Sequence, residues 1–209
     1  MFKSIDELVS QATQAGAPIS RVMIDSEMEQ SGQTEQQLRE GMAASLEVMK
    51  AAARKGLQGV ASHSGMTGGD ARRLMAYLEK GQALTCGTFV RALACAVATN
   101  EVNASMGVIC ATPTAGSCGV LPGVLLAVQE KLRAPDEALV DALFCAGAIG
   151  YVIANNAMIS GAAGGCQAEV GAASAMAAAA AVELAGGSPE QCAQAMAIAM
   201  KNLLGLACD

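Results

Sequence analysis

The chain is predicted to be all-α, a single-domain helical bundle whose central helices are rich in Ala and Gly. Three observations predict this. Helix start and stop signals punctuate almost its whole length, with Ser or Thr followed three residues later by Glu or Gln, and Gly where a helix should end. No run alternates apolar and polar residues over a strand's length with turn signals on both sides. The composition is 53% hydrophobic but only 2% aromatic, with no Trp and 23 Gly in 209 residues. A core built from such small side chains brings helix backbones close together.

Taken in order, Ser4 and Glu7 form a capping box and Gly16 ends the helix they open. Ser20 is the expected cap of a second helix that stops at Gly32. Thr34 and Gln37 open a longer one, carried by Leu38, Met42, Leu46, Met49 and Ala53 at steps of three and four, and closed by Gly56. A glycine-rich loop from Gly59 to Gly69 follows, then a helix from Asp70 to Lys80 with Gly81 as its stop. The next helix spans Thr88 to Thr99. Val108 to Ala111 is the one segment expected to be extended. Further helices are expected over Val120 to Leu132, Pro135 to Asn155, Gln167 to Leu184 and Pro189 to Leu204. The last is opened by Ser188 as cap, Pro189 and Gln191. One domain is expected over residues 1–209, with 1–58 a helical segment packed on the remainder.

Several function classes are excluded by charge and pattern. A net charge of −6 and the lack of a basic stripe argue against nucleic acid. The first residues, Met1 to Glu7, carry acid where the apolar part of a signal peptide would begin, so a cytoplasmic protein with reduced thiols is expected. Leu143 to Met158 and Val170 to Leu184 are apolar, yet they are rich in Ala and Gly and carry Asn155, Asn156 and Glu183. Core helices are expected there, not membrane spans.

Chemistry concentrates in three loops dense in Gly, Ser, Thr and Cys: Gly65 to Gly69, Ala115 to Gly119 and Gly161 to Gly165. Backbone N–H groups at the helix starts beside them could converge on a small carboxylate, although each loop alone also reads as a cap or packing point. Ser62, Ser64, Thr67, Gly68 and Gly69 form one candidate wall. Thr112, Thr114, Ser117 and Cys118 form the other, with Asn103 and Asn156 as orienting amides. His63, the only histidine, is a candidate general base and equally a candidate structural residue.

Cys86, Cys95, Cys145 and Cys192 lie in apolar helical runs and are expected to be small core hydrophobes, with Cys110 buried as well. Cys166 differs, because Ser160-Gly161-Ala162-Ala163-Gly164-Gly165 precedes it and leaves room for a bulky inorganic cofactor. Taken alone it also reads as an ordinary buried cysteine. Cys208 follows 42 residues later. No C-x-x-C or Cys/His spacing for zinc occurs. Lys201 sits at a helix end that favours a cation, and no strand-plus-glycine-loop pattern points to pyridoxal phosphate.

The segment from Asn155 to Gly171, the ending Leu204-Gly205-Leu206-Ala207-Cys208-Asp209 and the run Thr112-Pro113-Thr114-Ala115-Gly116-Ser117-Cys118-Gly119 resemble the α chain, or catalytic domain, of the iron–sulfur-dependent bacterial L-serine dehydratases. Ser62-His63-Ser64-Gly65-Met66-Thr67-Gly68-Gly69-Asp70-Ala71 is similar to a further motif of that family. The resemblance covers essentially the whole chain in the same order. It implies a lyase that converts L-serine to pyruvate and ammonia with a [4Fe–4S] cluster as Lewis acid. It further implies Cys166 and Cys208 as cluster ligands, Cys118 beside the substrate, a β chain or β domain as partner, and a homo- or hetero-oligomer. The third cluster cysteine would lie beyond Asp209, so a C-terminally truncated chain, metal-free and inactive by itself, is the expectation. Ala163 and Met158 depart from the residues commoner in the family at those positions. The alternative reading is a helical packing or oligomerisation module without chemistry.

Overall fold

The computed structural model describes residues 1–81 and 83–205. Among the described residues ten helices follow one another: α1 (Ile5–Ala15), α2 (Ile19–Ser31), α3 (Glu35–Gln58), α4 (Asp70–Glu79), α5 (Gly87–Ala104), α6 (Val120–Leu132), α7 (Asp136–Asn156), α8 (Gly161–Gly164), α9 (Cys166–Leu184) and α10 (Pro189–Lys201). The chain is all-α among the described residues. Its one β feature there is an isolated bridge between Ala61 and Gly68.

Local capping explains many of the boundaries. Thr34 and Gln37 form a reciprocal capping box at α3, as do Ser188 and Gln191 at α10, and Gly16 and Gly32 close α1 and α2 in the left-handed region. Several expected ends move. The cap of α2 is Pro18, not Ser20, and α3 runs past Gly56 to Gln58. The Gly161–Gly165 loop winds into the single turn of α8. Residues 107–111 join no strand.

Helices α7 and α9 form the centre. Leu139, Leu143, Ile149 and Val152 of α7 meet Ala172, Ala175, Met176 and Ala179 of α9 in one buried cluster. Around them α2 packs on α7, α10 and α6 pack on α9, and α3, α4 and α6 pack on α5. Helix α7 is long and apolar enough to cross a membrane, but more than half of that stretch is buried inside the protein. An Arg39 guanidinium joins α3 to α7 by reaching both Glu35 and Asp141 at 2.8 Å.

Small residues are needed where backbones touch. A methyl group at Gly56 would land on the carbonyl oxygen of Ala98, across the α3–α5 contact. One at Gly123 of α6 would lie 2.7 Å from the Ala96 methyl and 2.8 Å from the Ala92 oxygen on α5. Backbone on both sides leaves no flexible tip to swing away. Gly56→Ala is therefore expected to cost about 1–3 kcal/mol by overpacking. A thermal melt should register that as a fall of about 2–4 °C per kcal/mol for a chain of this size. An unchanged melting midpoint would contradict the α3–α5 approach described here.

Candidate active site

The last turns of α5 hold two of the three candidate loops. Asn103 donates from Nδ2 to the Ala115 oxygen at 2.9 Å, and the Cys118 thiol lies 3.4 Å from Asn100 Oδ1 as its donor. Between them on the helix, Glu101 is 1% exposed and turns to the other loop. Its Oε1 accepts from the Asp70 N–H at 2.6 Å and lies 3.4 Å from the Ala71 nitrogen. Helix α4 needs this help, because its own cap is Gly69 at φ 84°, a conformation suited to glycine that brings no capping side chain. The helix start expected to receive a substrate carboxylate thus already holds an internal one. The other Glu101 oxygen, Oε2, is buried without a hydrogen-bond partner among the described residues.

The Ser62–Gly69 turn is tied within itself. Ser62 Oγ lies 3.2 Å from Ser64 Oγ and accepts from the Thr67 N–H at 3.1 Å, while the Ser62 N–H donates to the Thr67 oxygen at 2.7 Å. His63, Ser64 and Thr67 are exposed, and Ser62, Gly68 and Gly69 are partly covered.

In the second loop most of the expected contacts face inward. Ser117, 1% exposed, donates from Oγ to the Thr112 oxygen at 3.1 Å, and Thr112 Oγ1 reaches the Cys118 oxygen at 3.5 Å. The Thr112–Pro113 peptide is cis. Burial pushes the Cys118 thiol up to about 11, so it is not a ready thiolate. Thr112 and Ser117 bond to the loop's own backbone and Cys118 to Asn100, so all three are buried where the sequence places them on a substrate wall. Thr114 alone points outward, and its hydroxyl donates to Glu169 Oε2 at 2.6 Å.

Glu169 is a candidate site residue that sequence reasoning missed. It stands in the first turn of α9, three residues after Cys166, where an acid also favours the helix dipole. Both the second and the third loop close around its carboxylate. A methyl group at Gly161 would fall 2.8 Å from Oε1, and one at Gly116 would strike the same oxygen. The available signal was the Cys-x-x-Glu spacing, which puts the two side chains on one helical face.

Cys166 begins α9 and is exposed, next to Gly165 at φ 82°. The positive end of the helix dipole favours a thiolate there, and no bulky neighbour in Gly161–Gly165 blocks approach. This donor fits one ligand of a large inorganic group. Cys208 lies outside the described residues. Asn156 donates from Nδ2 to the Lys3 oxygen at 2.9 Å and the Val152 oxygen at 2.8 Å, holding the N-terminal residues to α7, and it lines a cavity with Met158, Gly164 and Gln167 beside Cys166. Cys86 was expected in the core but is exposed, because it is the cap before α5 and not part of its apolar face.

Residues 14–209 match the family described as serine dehydratase alpha chain. The chain is 57% identical to the "Probable L-serine dehydratase, alpha chain" of Bacillus subtilis (strain 168), over all of its length and 70% of that protein's. It is 40% identical to the "L-serine dehydratase, alpha chain" of Peptoniphilus asaccharolyticus, over all of its length and 72% of that protein's. A relative from Latilactobacillus sakei is 65% identical over 54% of each chain. On this agreement over nearly its whole length, the chain belongs to the serine dehydratase alpha-chain family.

Proposed function

We propose that this chain, acting with a β chain in the cytoplasm, converts L-serine to pyruvate and ammonia. Family membership supplies the lyase chemistry. The observation that carries our assignment of the site is the Glu169 carboxylate, braced by Thr114 and one helical turn from Cys166. Free thiols at Cys86, Cys95, Cys110, Cys118, Cys145 and Cys192 are consistent with a reducing compartment.

The reaction needs the α-proton removed and the β-hydroxyl expelled as water. The resulting enamine tautomerises to an imine, which water hydrolyses to pyruvate and ammonia. Glu169 is our candidate for the proton-carrying group. Thr114 fixes Oε2, and Oε1 faces Gly116 and Gly161, where no side chain intervenes. His63, on the exposed turn, lacks such bracing and is the weaker candidate. Asn103 holds Ala115 and so sets the loop that carries Thr114. We assign Ser62, Ser64 and Thr67 to the substrate's approach, with Gly68 and Gly69 as the turn that shapes it. A [4Fe–4S] cluster held through Cys166 and Cys208 would supply the Lewis acid that makes the hydroxyl a better leaving group.

The test is turnover by the full-length α chain, including the residues that carry the third cluster cysteine, assembled with its β partner and loaded with iron and sulfide without air. Pyruvate and ammonium should form in equal amounts from L-serine. An iron-loaded assembly that leaves L-serine unchanged would contradict the proposal.

A further inference from the structure

Three helices bring two thiols and a carboxylate together at the end of α9 remote from Cys166. Cys145 on α7 and Cys192 on α10 are fully buried, and Glu183 lies near the last turn of α9. The two Sγ atoms and a Glu183 carboxylate oxygen all lie within 4.8 Å of one another. Glu183 lies seventeen positions after Cys166 on the same helix, roughly 25 Å at 1.5 Å per residue. This group is therefore distinct from the site described above.

Glu183 is fixed in place from its other side. The Ser20 N–H lies 3.3 Å from each carboxylate oxygen, so Glu183 caps α2, whose own cap residue Pro18 makes no side-chain bond. It also lines a cleft of about 200 Å³ with Ser20 and Asp141. Asp141 is engaged by Arg39 and does not crowd the group with an uncompensated charge. Glu183 thus faces solvent through this cleft, while the two thiols behind it are fully buried.

Burying a carboxylate costs free energy that apolar side chains of equal volume would not incur. Two sulfurs and one oxygen are the donors of a borderline-soft, four-coordinate ion. Zinc–sulfur bonds of about 2.3 Å in a tetrahedron put ligand atoms roughly 3.8 Å apart, a small contraction from the observed envelope. Calcium or magnesium would require more oxygens, and an iron–sulfur cluster more thiolates. The local sequence hides the set because its members sit on separate helices.

We propose that Cys145, Glu183 and Cys192 form a mononuclear site for a zinc-class divalent cation. Water from the cleft completes the coordination, and the ion ties α7, α9 and α10 to the start of α2. Binding forms two metal–sulfur bonds and releases the two thiol protons to solvent, with no change of oxidation state.

The test uses the full chain carrying Cys166→Ser, so that metal at the other end of α9 does not contribute. Zinc is titrated against a chromophoric chelator under reducing conditions. One zinc per chain should bind tightly, with release of about two protons. Cys145→Ala or Cys192→Ala should weaken binding by about 100-fold or more, at least what loss of an outer partner can cost. Glu183→Gln should weaken it while its amide oxygen still caps α2. No stoichiometric zinc, or affinity unmoved by these changes, overturns the proposal. Should the alanine variants not fold, cobalt added to the Cys166→Ser chain decides. A tetrahedral spectrum with thiolate-to-metal charge transfer supports the site, and an octahedral spectrum without it refutes it.

Discussion

Cys166→Ser in the assembled enzyme is expected to abolish iron–sulfur incorporation and pyruvate formation together. Serine keeps the volume but offers an alkoxide too basic to form at neutral pH, so the ligand is lost while the start of α9 is preserved. Cys95→Ala is the matched control. Cys95 is buried on α5, with its thiol pushed up by burial, and it behaves as a small apolar side chain. Its removal should cost about 1 kcal/mol of packing and leave iron content and turnover near wild type. Iron and acid-labile sulfide analysis of the two proteins is the check. Equal cluster content in both would show that Cys166 does not hold the group.

Glu169→Ala is expected to lower kcat by about 10²–10⁴, the range for losing a positioned proton-transfer group. Glu169→Gln should fall nearly as far, because its amide keeps an acceptor for Thr114 yet cannot take a proton at neutral pH. Asp at this position keeps the acid but draws it back by one methylene from Gly116 and Gly161, and should recover part of the loss. A purely structural role predicts a different order. Gln would then restore activity, and the decrease for Ala would follow lost stability in a thermal melt.

The helical architecture was legible because its signals are local. Thr34 with Gln37, and Ser188 with Gln191, announce helix starts within four residues, and Gly16 and Gly32 announce the ends. Legibility failed where a helix end is satisfied from far along the chain. The start of α4 is capped by Glu101, and that of α2 by Glu183, 163 residues beyond Ser20. Ser20 looked like the cap because its side chain is the right type, but Pro18 takes the position and the distant carboxylate supplies the acceptor. Cys86 misled for a related reason: an apolar run does not show which residue stands just outside the helix.

The candidate site was legible as loops and not as a constellation. The three glycine-rich segments and Cys166 stand out in sequence, whereas Glu169 reads as one acid in a first turn. Its significance arises only when folding sets Thr114 against it and presses two glycines to its oxygen. Thr112, Ser117 and Cys118 show the converse: polar types in a glycine-rich loop suggested ligand contacts, while burial turns Thr112 and Ser117 to the loop's own backbone and Cys118 to Asn100.

The most direct test of the central claim, that Thr114 and Glu169 act as one unit in serine dehydration, is a double-mutant cycle on kcat for pyruvate formation. Thr114→Val, Glu169→Gln and the double variant are compared with wild type in the iron-loaded assembly. Thr114 is expected to act through Glu169, so the double variant should be no slower than Glu169→Gln alone, a clear departure from additivity. Losses that simply multiply, or a Glu169→Gln enzyme with wild-type turnover, would contradict the account.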